Sequence, residues 1–276
     1  MFKNYLKMAW RNLVRNKAFS LLNIVGLAVG IACASLIFLW VGYHLTFNHS
    51  IPDYKNIYEI ENNQSYGSDM VTFPVTSVLV KDALQREYPG VVNVSRYGDA
   101  DGIVSSGDKR LSLAGAYVDS AFFKMFGLPL VEGNVNDVLN DISQIAISQK
   151  LAKTYFGNSD ALGKTLLVDN NPYKVSAVYK DIPQEVQFYG EDFFLPFEIY
   201  YGQNKDHGMN SWGSNWASTW VELRPGTNVT SFNSRLRKLV EQKDPQVTNQ
   251  SLWLYPMERL KLYGEFKMRQ RQLFNM

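Results

Sequence analysis

From Ala18 to Pro52 the chain carries no Asp, Glu, Lys or Arg, and within that stretch Leu21–Tyr43 is almost continuously apolar. At about 1.5 Å of rise per residue this run reaches roughly 34 Å as a helix, more than the ~30 Å hydrocarbon core of a bilayer. Residues 18–46 are therefore predicted to be a transmembrane helix. A cleaved signal would have a shorter apolar run ending in small residues; here the run ends in Trp40, Tyr43 and Phe47, an aromatic belt. Gly30-Ile31-Ala32-Cys33 lacks the large aliphatic residue expected three positions before a lipobox cysteine. Ahead of the span, Phe2, Tyr5, Leu6, Ala9, Trp10, Leu13 and Val14 recur at helical spacing, with Lys3, Lys7, Arg11 and Arg15 along the other face. Residues 1–17 read as an amphipathic helix suited to a headgroup layer.

Beyond the span the pattern changes to short alternating runs. Ile57–Asn62 reads as a strand, and Phe73-Pro74 opens a helix through Tyr88 with proline at the first helical position. Val91–Tyr97 is a second strand, and Ile103–Ala114 a hairpin around Ser106-Gly107-Asp108. Gln144–Ser148 is a strand, Gln149–Phe156 a helix stopped by Gly157, and Thr165–Val168 with Tyr173–Tyr179 a hairpin around Asp169–Pro172. Phe193–Tyr200 is a further strand, and Gly202–Trp216, rich in Gly, Asn and Ser, a mobile loop. Ala217–Leu223 is then a strand, Arg224-Pro225-Gly226 a turn, Thr230–Gln242 an amphipathic helix and Leu252–Tyr255 a last strand. The predicted class is α+β: one transmembrane helix, then two β-α-β units around an inserted, mostly-β lobe at about residues 130–210.

Charge fixes the orientation expected for the span. Residues 1–17 hold five basic side chains and no acid, while the other 23 basic residues face all 26 acidic ones. The positive-inside rule puts the N-terminus in the cytoplasm and the rest outside. A folded part with net charge −3 is not that of a nucleic-acid-binding protein. With Cys33 as the sole cysteine there is no intrachain disulfide, so the apolar core must hold the outer domain.

The start Met1–Ala32, with its M-F-K-N-Y-L-K-M-A-W-R-N and N-I-V-G-L-A-V-G-I-A runs, resembles the permease subunits of MacB/FtsX-type ABC transporters. Val131–Asn134, Ile145–Lys153, Tyr155–Asn158, Leu162–Thr165 and Tyr173–Asp181 are similar to the core of that family's periplasmic domain. Met257–Phe266 is similar to the segment before its second membrane helix. A usual glycine of the family stands here as Ala177. The resemblance implies a MacB-like periplasmic core domain over 47–264 and, over 265–276, a tail toward a second membrane helix. It implies at least two more membrane helices after that one, and the sequence stops at Met276, where the second is expected to begin. It also implies a bacterial inner-membrane permease moved by a separate cytoplasmic ATPase subunit, for export or mechanotransmission. The implied partners are that ATPase, a second permease protomer, the lipid bilayer and a periplasmic partner protein. The other reading of the chain is a single-span anchored sensor or interaction module that works without an ATPase.

Candidate chemistry is sparse. Leu162-Gly163-Lys164-Thr165 imitates the end of a phosphate-binding loop, but the required first glycine is Asn158, so a turn before a strand is the better reading. His44 and His49 lack a spaced carboxylate, and Asp99 and Asp101 lack the further acids of a calcium loop. No nucleophile motif is present. Trp212, Trp216 and Trp220 recur every four residues and are read as core packing ahead of an aromatic binding face. Gly26 and Gly30, with Ala34 a turn on, offer a close-packing face to another helix. The sequence therefore predicts no catalytic, cofactor-binding or metal-binding residue, no cofactor and no enzyme activity.

Overall fold

The computed structural model describes residues 2–67 and 69–263. The expected tail at 265–276, and the end of the Met257–Phe266 motif, lie outside the described residues. The chain divides into two compact units at Thr46/Phe47.

The first unit is two helices. Helix α1 is Phe2–Arg15 and helix α2 is Lys17–Leu45, joined at Asn16, whose ψ of 58° departs from helical geometry. Among the described residues, α2 is the one helix long and apolar enough to cross a membrane, and none of its residues is buried. Adding a Cβ to Gly26 or Gly30 would meet nothing within 4 Å.

The second unit is built on one mixed sheet. Its strands, among the described residues, are β1 Ile57–Tyr66, β2 Asp69–Phe73, β3 Val91–Asp99, β4 Gly102–Ser106, β5 Lys109–Leu113, β6 Gly115–Val118, β7 Leu130–Glu132, β8 Gln144–Ser148, β9 Thr165–Val168, β10 Asn171–Tyr179, β11 Phe193–Pro196, β12 Ser218–Leu223 and β13 Gln250–Pro256. The order is β13-β1-β12-β3-β6-β11-β8-β10-β9-β4-β5, with β2 on β1 and β7 on β10. The helices are α3 Val80–Glu87, α4 Ala121–Phe126, α5 Gln149–Phe156, α6 Phe197–Asn204, α7 Val229–Leu236 and α8 Leu239–Lys243.

The two β-α-β units interlock. β1 and β3 run parallel with β12 antiparallel between them, and β12 and β13 run parallel with β1 between them. Each unit is thus split by a strand of the other, so neither sheet half closes without both. Their helices α3, α7 and α8 cover one face, where Ile60, Val94, Val221, Leu252 and Leu254 meet Leu84, Phe232, Leu236 and Leu239. We call this half the base.

Apart from β2, which pairs with β1, the remaining strands come from residues 102–196 and extend the sheet beyond β3. The hairpin β4–β5 belongs with them, because β4 pairs with β9. β8 and β11 are buried on both faces, as their unbroken apolar runs require. Leu151 and Ala152 of α5 close one face and the phenylalanines of α4 the other. Ser148 caps α5 by accepting from the Leu151 amide at 3.1 Å, and Gly157 ends it with a positive φ of 64°.

Several expectations are corrected. The helix expected to open at Pro74 begins only at Val80. Thr76 is held in a bridge, its amide donating to the Ala217 carbonyl and its carbonyl accepting from the Trp216 amide, and Ser77–Leu79 then turn, with Ser77 Oγ accepting from the Leu79 amide. Phe193–Tyr200 is a strand only to Pro196, which has no amide hydrogen to continue a ladder; Phe197 starts α6. The helix at 230–242 is two pieces, broken at Arg237–Lys238, where the Lys238 amide donates to the Arg235 carbonyl in a tighter turn; Leu236, Leu239 and Val240 all enter the base core. Gly202–Trp216 is not a bare loop: Met209 is fully buried, and Ser77 Oγ donates to the Ser211 carbonyl at 2.7 Å. The turn at 169–172 is tighter than expected, with Asp169 and Asn170 both at positive φ.

Candidate functional site

Among the described residues, the base and the extension are joined in the sheet by one short ladder, Tyr97↔Val118, Gly98↔Tyr117 and Asp99↔Ala116 between β3 and β6. Side chains alternate across β3, so Arg96 and Tyr97 enter opposite faces of this joint.

On one face Arg96 is 6% exposed and Asp119, just after β6, is 7% exposed. The Arg96 backbone amide, Nε and Nη2 all donate to the Asp119 carboxylate, at 2.7, 3.0 and 2.6 Å. Lys81 of α3 donates to the same carboxylate at 2.8 Å, and Arg96 Nη2 reaches Glu198 of α6 at 2.8 Å. The guanidinium also lies 4.1 Å from the centroid of the Phe197 ring. Two cations and two carboxylates are thus gathered from α3, β3, the β6–α4 junction and α6. Burial pushes the Asp119 carboxyl up, but Arg96 and Lys81 pull it down further, leaving it below the ordinary range. Burial lowers the Arg96 guanidinium, and Asp119 and Glu198 raise it by more. Such a network is a poor source of net stability but costly to break on one side.

On the other face Tyr97 and Trp220 of the base meet Phe122 and Phe126 of α4. Phe188, from the connection between β10 and β11, sits among them, with centroids 4.6 Å from Phe126, 4.8 Å from Phe122, and 5.5 Å from both Tyr97 and Trp220. Tyr97 Oη donates to Glu191 Oε1 at 2.6 Å, and Tyr179 Oη donates to the Glu191 carbonyl at 2.9 Å. Burial pushes the Glu191 carboxyl up; the Tyr97 bond lowers it, and Asp99, Asp101 and Asp192 raise it again. Tyr97 is raised above its ordinary value by burial and then by Glu191.

The same connection reaches the first residues of the unit. Asn48 is fully buried at a φ of 64°. Its amide donates to the Glu185 carbonyl at 2.7 Å, and its Oδ1 accepts from the Gln187 amide at 2.8 Å. Its Nδ2 reaches the Met257 carbonyl at 3.5 Å, the outer limit of such a bond. Lys261 lies over the Phe47 ring at 5.1 Å. The first and last described residues of the unit are therefore laced together.

The residues singled out in the sequence lie elsewhere or are structural. Gly163 is in a turn and Thr165 starts β9, while Lys164 Nζ rests 4.8 Å from the Phe156 ring centroid. A phosphate-binding loop would open a helix here. His44 Nδ1 is 2.9 Å from the Trp40 carbonyl, and His49 stacks on Tyr54. Among the described residues no group of three or more His, Cys, Asp or Glu could hold a metal ion. The three tryptophans part company: Trp212 packs on the base core, Trp216 against Tyr200, and Trp220 in the aromatic joint. Sequence reasoning missed Arg96, Asp119 and Asn48. Arg96 did carry a signal, a charge at the same strand parity as buried Val94.

The chain thus joins a helix of membrane-spanning length to a sheet domain of two interlocked β-α-β units with an inserted lobe. The profile of the MacB-like periplasmic core domain matches residues 20–239, and the chain belongs to that family. It is 25% identical over 242 residues to the macrolide export ATP-binding/permease protein MacB of Aggregatibacter actinomycetemcomitans, covering 85% of this chain and 37% of that protein. With the Salmonella typhi protein of the same name it shares 23% over 257 residues, 87% of this chain and 37% of the relative. The chain thus spans little more than a third of these relatives. Among solved structures, a domain from a Porphyromonas gingivalis protein assigned as a permease superposes with a TM-score of 0.63 at 24% identity, covering 75% of this chain and 92% of that one. The periplasmic region of MacB from Actinobacillus actinomycetemcomitans gives 0.55 at 18%, covering 76% and 92%. The extracellular domain of the noncanonic ABC-type transporter YknZ from Gram-positive bacteria gives 0.54 at 17%, covering 72% and 100%.

Proposed function

We propose that this chain is the N-terminal part of an ABC transporter permease subunit, in which ATP-driven motion of a separate cytoplasmic ATPase is passed through α2 to the outer domain. The observation that carries the reading is continuity: the family match starts at residue 20, within the apolar helix, and runs through the sheet domain to residue 239. The charge-free span after five basic residues supports a cytoplasmic N-terminus and an outer sheet domain. The buried joint suits a lever that changes angle more readily than it changes fold. In this reading the chain performs no chemistry; hydrolysis belongs to the ATPase and the permease works by moving, in export or in signalling to a partner outside the membrane.

Two measurements test it. Asp108→Cys should react with an impermeant thiol reagent in intact spheroplasts, and Asn4→Cys only after lysis; the reverse pattern refutes the orientation. The permease purified from its native membrane after mild cross-linking should bring down a nucleotide-binding subunit with ATPase activity. Recovery without any ATPase would favour the anchored module over the transporter.

A further inference from the structure

The connection between β10 and β11 touches both the beginning of the outer unit and the joint in its sheet. At one end, Glu185 and Gln187 hold Asn48 through two backbone-distance hydrogen bonds of 2.7 and 2.8 Å. One residue on, Phe188 is wedged between the base aromatics Tyr97 and Trp220 and the α4 aromatics Phe122 and Phe126. Three residues further, Glu191 receives the Tyr97 hydroxyl. Asn48 follows the end of α2 at Leu45 by three residues of covalent chain. Its positive φ is tolerated by asparagine better than by most residues, and its side chain spends both polar atoms on tertiary partners.

We propose that Asn48 is a positioning residue that latches the entry of the sheet unit and the returning Met257 segment to the 183–192 connection, so that displacement of that entry moves Phe188 within the joint. The site is a relay: entry, latch, connection, wedge, joint. A displaced Asn48 pulls on the Glu185 carbonyl and Gln187 amide, and the close-packed aromatics around Phe188 transmit a shift rather than absorb it. Since, among the described residues, the sheet runs from base to extension through a three-pair ladder alone, a shift of the wedge changes the angle between them. The direction of drive rests on the permease reading; the coupling itself does not.

The test is native-state hydrogen exchange on the full chain in lipid nanodiscs, which requires no ATPase. Asn48→Gly keeps the positive φ and deletes the side chain. Exchange should rise about tenfold over residues 183–192, from the loss of the Gln187 amide's hydrogen bond together with freed loop backbone. It should also rise about threefold at 93–99 on β3, with the β4–β5 hairpin unchanged. Phe188→Leu keeps the Asn48 latch and trims the wedge. It should raise exchange at 93–99 while leaving the Gln187 amide near the parent rate. A response to Asn48→Gly confined to residues 46–52 overturns the relay, and so does a Phe188→Leu variant indistinguishable from the parent at 93–99. Loss of ATPase association with the exchange pattern intact would sink the transporter reading alone.

Discussion

Removing the Asp119 carboxylate leaves Arg96 charged and buried, with only the half-exposed Glu198 to face. Breaking a buried pair from one side costs about 3–5 kcal/mol. Because Glu198 remains, Asp119→Asn should fall near the low end in urea unfolding at pH 7. The pH dependence has a fixed sign. The folded carboxyl titrates below its unfolded value of about 3.9, so its contribution is present above that pH and is lost as pH falls through the folded value. The stability gap between parent and Asp119→Asn should therefore narrow below about pH 4; a gap unchanged down to pH 2.5 would refute this account. Glu191 has the opposite sign: its raised carboxyl stabilises the fold below its unfolded value, and that contribution disappears as pH rises through the folded one. Sequence could not pair Arg96 with Asp119, because neither shares an element with the other and only the ladder between β3 and β6 brings them together.

At the scale of elements, the stretch from Pro74 to Leu79 shows where local preference loses to tertiary demand. Proline favours the first turn of a helix, yet Thr76 is spent on a bridge to Ala217, and its hydroxyl lies 2.8 Å from that of Thr219, both fully buried. Thr76→Val preserves shape but orphans the Thr219 hydroxyl, an expected loss of about 1–3 kcal/mol. Thermal unfolding should register it with helix content by circular dichroism unchanged; a neutral effect would mean the bridge is incidental. Elements whose signals were local and mutually consistent were legible: the short apolar run of β8, the serine cap and terminal glycine of α5, and the Ser106-Gly107-Asp108 turn of the β4–β5 hairpin. α4 escaped notice because Ala121–Phe126 is a single apolar turn or two with no polar face to set a period. α6 was hidden for the related reason that its aromatic residues suit a strand equally well. The joint was illegible because contacts such as that between Tyr97 and Glu191 are spatial and carry no spacing rule.

At the scale of the molecule, every core cluster of the sheet unit is made of residues from Ile51 onward. Residues 47–263 should accordingly fold without α1 and α2, as a soluble species unfolding in one cooperative transition in plain buffer. Aggregation of that fragment, or cooperativity only in detergent with the helices present, would contradict this. The strand order has a consequence for synthesis. β1 is the first strand made, and it is held between two of the last, β12 and β13; Asn62 on β1 and its partner Gln250 are 188 residues apart. β2 follows at once and pairs with its far half, Asn62–Tyr66, but at about 5–20 residues per second the rest of β1 waits roughly 10–40 s for β12 and β13. The strands of the extension find partners within their own stretch of chain, so the distal part can assemble while the base is still open. A ribosome that stalls between residues 200 and 250 would thus leave an arm already folded on a foundation that cannot close, with β1 offered to any stray strand nearby.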